Sequence, residues 1–418
     1  MDKSLMKGHL ALVGVWALTV ATWAISAPGT EVTFLTSAAQ LFGALGLTGI
    51  STLLFISTRN RLVDWLFHGI DKAYVGHKMT GIMSIVFLIA HVVTFNTRHG
   101  FQRGAPREFV WTHLGAPALA LFVILILFAL LTRKIKYESW KRVHALMFIP
   151  FVVGVVHYYG SSTFGAFTFA PLSVWMDVMV LIGLISAVYT LVFYPLHGFR
   201  YKLEVVGVAR PAKDSLEITA VTHGRKLQVR PGQFAFIKFP SRKIGSHPFT
   251  ISGTDGDRIQ FTIKALGDHT RRLVDSVAVG DWFTAAGPYG RFDYSMGTQN
   301  QIWIAGGIGI TPFRAFLKAG VPASFSIDLF YAFAEGDQAA YRDELVKLAP
   351  QNVRVHLMDD SVDGFMTAEK IQTLAQVDPG MDVFFCGPTV MRRALTKGLA
   401  PVGIPRSAIH YEQFSFRG

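Results

Sequence analysis

Cysteine is nearly absent from this sequence, since Cys386 is the single one among 418 residues. One cysteine excludes an intramolecular disulfide framework, together with the cysteine-rich zinc and iron–sulfur sites. Charged residues are scarce at 16%, and internal repeats, low-complexity tracts and RNA-binding signatures are lacking. The formal charge of +12 therefore indicates basic membrane loops and sites for anionic ligands, and we expect no nucleic-acid partner.

Hydrophobic residues make up 51% of the chain, and they are concentrated before residue 200. The length suggests two or three domains. The run of residues 9–26 follows Lys3 and Lys7 like a signal peptide, but further spans follow it, so we expect a retained first helix. Six apolar segments are long enough to cross a bilayer, at residues 9–26, 38–57, 78–97, 114–132, 143–160 and 173–194.

Lys and Arg are distributed unequally between the predicted loops. Nine of them lie in the loops after the second and fourth segments, three lie after the third, and none lies after the first or fifth. The positive-inside rule then predicts that both termini are cytoplasmic. We expect a multi-pass protein of the lipid bilayer of the plasma membrane, which is the inner membrane in a bacterium.

Four histidines lie in the third and fifth apolar stretches. His77 and His91 are 14 residues apart, and His144 and His157 are 13 apart. Each pair spans about 20 Å of helix axis, which is most of a hydrocarbon core of roughly 30 Å. A lone histidine in an apolar helix is more often an interior residue than a ligand. Four in two similar pairs predict two haems at two depths, with His77 and His144 at the inner level.

The two spacings differ in helical phase. An interval of 14 residues returns a side chain to within roughly 40° of its starting face, whereas 13 residues leave it far round a regular helix. Pro150 and Gly154 lie inside the 13-residue interval. Because proline disturbs helix winding, helix regularity is least to be trusted there. How both ligands come to one face stays an open question at this point.

The predicted external loop at residues 98–113 is rich in Arg and His. Arg98 and His99 are the nearest of these in sequence to His91. Two interpretations stay open for them. The loop is either an ordinary solvated connection, or it brings Arg98 or His99 to the haem propionates or the terminal electron acceptor.

The long apolar runs end at Tyr194–Pro195, and a sequence typical of a water-soluble domain follows. Short alternating or apolar runs at residues 201–208, 216–221 and 234–239 predict a small antiparallel barrel. From Gln301 a strand, a glycine-rich turn, a helix and a strand follow, which is a βαβ nucleotide-binding pattern. The predicted fold is a six-helix transmembrane bundle, an antiparallel β-barrel FAD domain and an α/β Rossmann-like NAD(P) domain, at residues 1–197, 198–296 and 297–418.

The stretch HPFTIS at residues 247–252 follows a PGQF turn at residues 231–234. Small hydroxyl residues at a strand end can hydrogen-bond a flavin ring and its ribityl-phosphate chain. The stretch resembles the flavin-binding signature of the ferredoxin–NADP reductase superfamily, in the version of ferric reductases and NADPH oxidases. The flavin candidates are His247, Pro248, Phe249, Thr250, Ile251 and Ser252.

The stretch KALGDHT at residues 264–270 resembles the family's second flavin segment, in which a helix N-terminus receives the pyrophosphate. His269 stands where an aromatic residue is common in that family. The resemblance adds three flavin candidates, Lys264, Gly267 and Thr270.

The stretch AGGIGITP at residues 305–312 lies between an apolar strand and a helix. Glycines let the backbone approach a phosphate or nicotinamide, and the helix N-terminus favours anions. The stretch resembles the family's NAD(P) signature, FFCGP at 384–388 resembles the strand end beside the nicotinamide, and GPYG at 287–290 resembles the interdomain turn. The NAD(P) candidates are Gly306, Gly307, Gly309, Thr311, Pro312, Cys386, Gly387 and Pro388.

Four residues near the predicted hydride-transfer site carry further expectations. The resemblance places Cys386 beside that site, although it can equally be a small buried residue, and we do not propose it as a nucleophile. A terminal aromatic commonly covers the flavin in this family, which favours Phe416 and then Phe414, with ordinary packing as the alternative. Glu412 is close enough in sequence to assist the flavin edge.

The sequence gives mixed signals on whether the protein prefers NADPH or NADH. Members that prefer NADPH often carry a basic residue after the strand that corresponds to DLFYAFA, but here Glu335 follows. An acid at this place favours a free ribose 2′-OH, as in NADH sites. Arg314 and Arg342 are candidates for a 2′-phosphate contact. We expect NADPH, with NADH as a close alternative.

Six helices with two histidine pairs resemble the ferric-reductase domain that NADPH oxidases and ferric reductases share. The resemblance covers essentially the whole chain. The calcium-binding and partner-recruiting regions of animal oxidases are not found in this sequence, which implies a minimal prokaryotic type. It implies that His77 pairs with His144, and His91 with His157, as ligands of two haem b groups. Electrons would pass from NAD(P)H through FAD and the haems to an external acceptor, with no obligatory protein partner. We expect oxygen, which gives superoxide; the alternatives are ferric chelates, or a protein or quinone partner.

Overall fold

The computed structural model describes residues 3–26, 34–99, 106–131, 135, 137–161, 168–240 and 245–412. They form two compact units, one drawn from residues 4–196 and the other from residue 197 onward. Each unit is considered by itself below.

The first unit is helical. Six of its segments are long and apolar enough to cross a membrane, at residues 7–26, 34–57, 70–95, 113–130, 139–161 and 171–197. The six predicted spans are therefore confirmed, and the third begins earlier than residue 78. The helices are α1 Lys3–Ser26, α2 Phe34–Ser57, α3 Arg61–Phe67, α4 Ile70–His99, α5 Pro106–Leu130, α6 Tyr137–Ala145, α7 Phe148–Ser161, α8 Pro171–Val188 and α9 Tyr194–His197.

Small residues bring α2 close to α4. A Cβ added at Gly46 would lie 2.6 Å from a methyl carbon of Leu88, and one added at Gly49 would lie 2.2 Å from the Ser84 hydroxyl oxygen. Membrane helices pack closely where such small residues lie at their interface. The packing places the backbone of α2 beside the histidine-bearing face of α4.

The fifth span is broken into two helices at Leu146 and Met147. Pro150 has no N–H to donate to the carbonyl of Leu146, which is where a continuous helix requires a hydrogen bond. That carbonyl instead accepts from Ile149 at 2.9 Å, and the Met147 N–H donates to His144 at 3.1 Å. These tighter i→i−3 bonds rotate the chain further per residue than an α-helix does, so they change the phase between the two halves of the span.

The second unit begins with a closed antiparallel barrel of strand order β1-β2-β5-β4-β3-β6. Alternate residues fill its interior, among them the fully buried Leu203, Ile218 and Phe261. The predicted barrel is therefore confirmed. Its strands are β1 Tyr201–Ala212, β2 Ser215–His223, β3 Phe234–Lys238, β4 His247–Asp255, β5 Arg258–Lys264 and β6 Trp282–Tyr289, with helix α10 Asp268–Ser276 after β5.

A parallel five-stranded sheet follows, with the order β11-β10-β7-β8-β9. The chain order reverses on either side of β7, and ligands of such sheets bind where strands of this kind end. Helices cover both faces. The elements are β7 Asn300–Gly306, α11 Thr311–Ala319, β8 Ser326–Phe333, α12 Arg342–Leu348, β9 Val353–Asp359, α13 Ala368–Leu374, β10 Asp382–Cys386, α14 Thr389–Leu399 and β11 Ile409–Tyr411. The domain boundaries at 197/198 and 296/297 stay predictions.

Candidate functional site

The four histidines meet in two pairs inside the helical unit. The ring centroids of His77 and His144 are 6.1 Å apart, and those of His91 and His157 are also 6.1 Å apart. An imidazole nitrogen binds a metal at about 2 Å, so two imidazoles on opposite sides of one metal ion have centroids roughly 6 Å apart. Each pair therefore has the separation that one haem iron with two histidine ligands requires.

Hydrogen bonds orient the two histidines of α4. The Nδ1–H of His91 donates to the carbonyl of Ala39 on α2 at 2.7 Å, which leaves the lone pair of Nε2 for a metal. His77 hydrogen-bonds the backbone of Leu53, also on α2. The close α2–α4 packing thus supplies the outer support that metal-binding imidazoles usually have.

His144 is held in a different way. Its ring stacks on that of Trp140, with centroids 5.0 Å apart and an interplanar angle of 8°. The Trp140 Nε1–H donates to the carbonyl of Ala129 at 3.1 Å, which anchors the stack. The Nδ1 of His144 is buried and has no hydrogen-bond partner within the described ranges. A buried ring nitrogen without a protein partner fits a histidine that takes part in binding a group which the polypeptide itself does not supply.

The break in the fifth span explains how His144 and His157, 13 residues apart, both face α4. In an unbroken helix, 13 residues would turn His157 far from the face of His144. With the break before Pro150, both rings come opposite histidines of the single helix α4. The break lies beside Pro150, where the sequence left helix regularity least certain, and it accounts for the facing that the 13-residue spacing left open.

The predicted flavin strand is β4, which pairs with β3 so that Phe249 lies opposite Ala235 and Pro248 opposite Phe236. Thr250 is buried. His247 contacts His269, with ring centroids 4.0 Å apart, so β4 and the start of α10 adjoin. Two stretches that were each predicted to bind flavin thus lie side by side.

The start of α10 is capped by its own chain. The Oγ1 of Thr270 accepts from the N–H of Leu266 at 2.9 Å and from that of Gly267 at 3.1 Å. Lys264 forms an ion pair with Asp214 at 3.2 Å. The residue predictions here stay predictions, and the side chains of Thr270 and Lys264 already have protein partners.

The glycine-rich loop packs tightly against the end of β10. A Cβ at Gly309 would lie 2.0 Å from the carbonyl oxygen of Cys386, and one at Gly306 would lie 2.7 Å from Pro388 Cδ. Gly387 is confined to a lesser degree, since its Cβ would lie 3.0 Å from the Gly306 nitrogen. Gly307 has a positive φ of 56° and open space around its Cα. An added Cβ would therefore find room at Gly307 but not at Gly306 or Gly309.

Several predicted residues are deeply enclosed. Cys386 is 1% exposed, and Thr311 donates its hydroxyl to the Ile308 carbonyl at 3.0 Å. The carboxylate of Glu412 lies beside Gly290 of the GPYG turn, where an added Cβ would be 2.9 Å from Oε1. Phe414, Phe416 and the side chains of Arg98 and His99 lie outside the described residues.

Arg314 is not available to a 2′-phosphate, because it is 3% exposed and bound to protein carboxylates. Its Nη1 lies 3.0 Å from Glu217 on β2. Burial and the neighbouring Glu217 carboxylate raise the pKa of Tyr341 well above its ordinary value, so the phenol stays protonated and donates to Glu217 at 2.6 Å. Sequence reasoning missed this network. Its one local signal is an acid inside the apolar strand β2.

Three protein families match successive parts of the chain. Residues 42–155 match the family described as ferric reductase like transmembrane component, residues 200–292 match a FAD-binding domain, and residues 303–397 match an oxidoreductase NAD-binding domain. The chain has the domain composition of a ferric reductase/NADPH oxidase-type fusion. In one chain, six helices that are long and apolar enough to cross a membrane thus precede a FAD-binding domain and an NAD-binding domain.

Curated relatives of the fusion match it over parts of their length. The carnitine monooxygenase reductase subunit of Escherichia coli (strain K12) is 34% identical over 35% of this chain and 44% of its own. A flavohemoprotein of Burkholderia sp. (strain TH2) is 28% identical over 56% and 65%. A probable ferric reductase transmembrane component of Candida albicans is 26% identical over 64% and 40%. The chain thus spans between two fifths and two thirds of these relatives.

Proposed function

We propose that this protein carries electrons across a membrane from cytoplasmic NADPH to oxygen on the outer side and so produces superoxide, with NADH as the alternative donor. When bound, FAD accepts hydride and releases single electrons, and two haem b groups relay them. The observation that supports the proposal most strongly is the pair of 6.1 Å histidine contacts inside membrane-type helices. The FAD- and NAD(P)-binding domains of the same chain supply the electron source.

The histidines hold the haems and set their depth. With both termini cytoplasmic, as the positive-inside rule predicts, His77 and His144 bind the inner haem, and His91 and His157 bind the outer one. Each haem would be held by two imidazoles, which would leave a small acceptor no free iron position to bind. Arg98 is the cation that we assign to the acceptor or the outer propionates.

Residues of the barrel and of the five-stranded sheet bind and orient FAD and the nicotinamide dinucleotide. The backbone of β4 from His247 to Ser252 holds the flavin, and the open backbone at Gly307 receives the dinucleotide phosphates or nicotinamide. Glu412 would assist the flavin edge, and Phe416 would cover the flavin face, as the family resemblance implies. Cys386 lines the hydride-transfer site as a small buried residue.

Ferric-chelate reduction is the second candidate. Helix α2 carries no arginine between Phe34 and Ser57, whereas the resemblance to the oxidases implies one on this helix near the outer haem. A cation stabilises an anionic product such as superoxide. The Candida albicans relative is described as a probable ferric reductase component. Other relatives are named as reductase subunits or components, which favours transfer to a protein or quinone partner as a third possibility.

Acceptor identity is testable on the detergent-solubilised chain. We expect NADPH consumption in air with reduction of added cytochrome c that superoxide dismutase abolishes. The matched arm replaces air by argon and adds a ferric chelate. Trapped superoxide supports the oxidase. Rapid chelate reduction without any trapped superoxide in air contradicts it and supports the ferric reductase.

A further inference from the structure

One buried side chain joins the helix after the nucleotide loop to two strands of the barrel. Arg314 is the fourth residue of α11, directly after the glycine-rich loop. Its Nη1 lies 3.0 Å from a carboxylate oxygen of Glu217 on β2 and donates to the carbonyl of Ser252 on β4 at 3.1 Å. Its Nε and Nη2 donate to the two carboxylate oxygens of Glu344, at 3.0 and 2.9 Å. Within the second unit, the guanidinium therefore has partners on the barrel and on helix α12 beside the five-stranded sheet.

Tyr341 completes this network from the other side. Its ring lies under the Arg314 guanidinium, 3.9 Å from the centroid, and its hydroxyl donates to Glu217 at 2.6 Å. The Tyr341 hydroxyl also lies 2.6 Å from Oγ1 of Thr262, and that Oγ1 lies 2.8 Å from the Ser252 hydroxyl. Tyr341 adopts a positive φ of 63°. Such strained residues persist where their surroundings fix them, and they cluster at functional sites.

The flavin strand is shaped to meet Arg314. In the pairing of β4 with β5, the register shifts between Ile251 and Gly253, so Ser252 is the extra residue of a bulge. A Cβ at Gly253 would lie 2.7 Å from the Gln260 Oε1. Bulges re-aim the chain beside active sites. Here the bulge turns the last residue of HPFTIS toward the helix that follows the nucleotide loop.

Stability alone gives little reason for such a network. A buried arginine between two carboxylates costs desolvation energy that its Coulomb attraction barely repays, and apolar residues of equal volume are often as stabilising. What a planar guanidinium with five fixed donors provides is a defined geometry. The network thus fixes where α11 lies relative to β4.

We propose that Arg314 and Tyr341 are positioning residues that hold the nicotinamide loop against the flavin strand and so set the distance for hydride transfer. The inference rests on the proposed NAD(P)H–FAD function. The step concerned moves a hydride, two electrons with one proton, from the reduced nicotinamide, which becomes oxidised, to the flavin, which becomes reduced.

The test uses the full-length chain with FAD and the variants Tyr341→Phe and Arg314→Lys. Tyr341→Phe removes one hydroxyl. Arg314→Lys keeps the positive charge but loses the paired donation of Nε and Nη2 to Glu344. Anaerobic stopped-flow with NADPH and C4-deuterated NADPH should show flavin reduction slowed about tenfold, with an altered isotope effect and an unchanged dissociation constant for NADPH. Amide hydrogen exchange without NADPH should rise together in β4 and α11.

Arg354→Lys is the matched control. Arg354 forms a two-bond ion pair with the buried Asp328 at 2.7 and 2.6 Å, near the starts of β8 and β9 and away from the nucleotide loop. It should loosen those strands without changing the isotope effect. An equal change in Arg354→Lys, or lower thermal stability of the two test variants with an unchanged hydride rate, would overturn the inference. If the unaltered chain does not reduce its flavin with NAD(P)H, the proposed function itself is wrong.

Discussion

Helix α4 and the segment α6–α7 each present two histidines to the other, but they do so on different backbones. His77 and His91 lie on one unbroken helix at a spacing that keeps them on one face. His144 and His157 lie on two separate helices, and the break between them compensates for a spacing that a regular helix would not tolerate. The comparison teaches that residue spacing must be interpreted together with the helix breakers inside it.

The support of the two pairs differs as well. On α4, backbone carbonyls of the neighbouring helix accept from the imidazoles, as Ala39 does from His91. On α6, stacking on Trp140 takes that role for His144. A hydrogen bond fixes which ring nitrogen is free, whereas a stack fixes only the ring plane. The His144 ring is therefore the less constrained member of its pair.

Removing one histidine should give the largest effect. His91→Ala deletes one ligand of the outer pair, so we expect the chain to lose about half of its haem and all reduction of the external acceptor. Flavin reduction by NADPH should persist, because the second unit, from residue 197 onward, keeps its own core. Haem and flavin content with single-turnover flavin reduction measure this. Loss of flavin reduction as well would mean that the two units depend on each other.

Restoring helix regularity should be nearly as damaging. Pro150→Ala supplies the missing N–H and the best helix former, so α6 and α7 should approach one continuous helix and turn His144 away from His77. We expect reduced haem content by the pyridine haemochrome assay. Pro117→Ala, which changes a proline inside α5, serves as control. Full haem content in Pro150→Ala would show that the proline does not maintain the break.

Crowding one ligand should have an intermediate effect. A Cβ at Gly115 would lie 2.9 Å from Nε2 of His157, whereas one at Gly154 meets nothing within 4 Å. We therefore expect Gly115→Ala to weaken retention of the outer haem about tenfold, and Gly154→Ala to leave it unchanged. Haem transfer to apomyoglobin measures retention. Equal transfer rates for the two variants would contradict the assigned position of His157.

These cases show what the sequence could predict. The apolar spans, barrel strands and glycine loop depend on local pattern, so they were predictable. The short helix α3 and the i→i−3 bonds of Met147 and Ile149 depend on small local energies that periodicity does not report. The Arg314–Glu217 pair joins residues that are distant in sequence, so no local signal could place them together, and Arg314 was instead a candidate for the 2′-phosphate.

A buried ion pair of the sheet should give the smallest effect. Burial alone would raise the pKa of Asp328, but hydrogen bonds from His356 and Arg354 outweigh it and hold that pKa below its ordinary value. The unfolded chain then binds the proton more readily, so the stabilisation is full above about pH 3.9 and is lost as the pH falls through the lower folded pKa.

Asp328→Asn should therefore lower the free energy of unfolding by about 2 kcal/mol at neutral pH, and its difference from the unaltered chain should shrink in acid. Asp337→Asn removes an exposed partner of Lys213 and should change stability by less than about 1 kcal/mol. Chemical denaturation of the solubilised chain at several pH values measures both. A difference for Asp328→Asn that grows as the pH falls would refute this sign.

The central claim is that the facing histidines bind haem, and a reduced-minus-oxidised absorption spectrum of the purified chain tests it most directly. The 6.1 Å separations of His77 from His144 and of His91 from His157 predict the sharp bands of low-spin, six-coordinate haem. The haem-to-chain ratio should indicate one haem for each pair. A spectrum without low-spin haem, in protein that retains its flavin, would contradict the account.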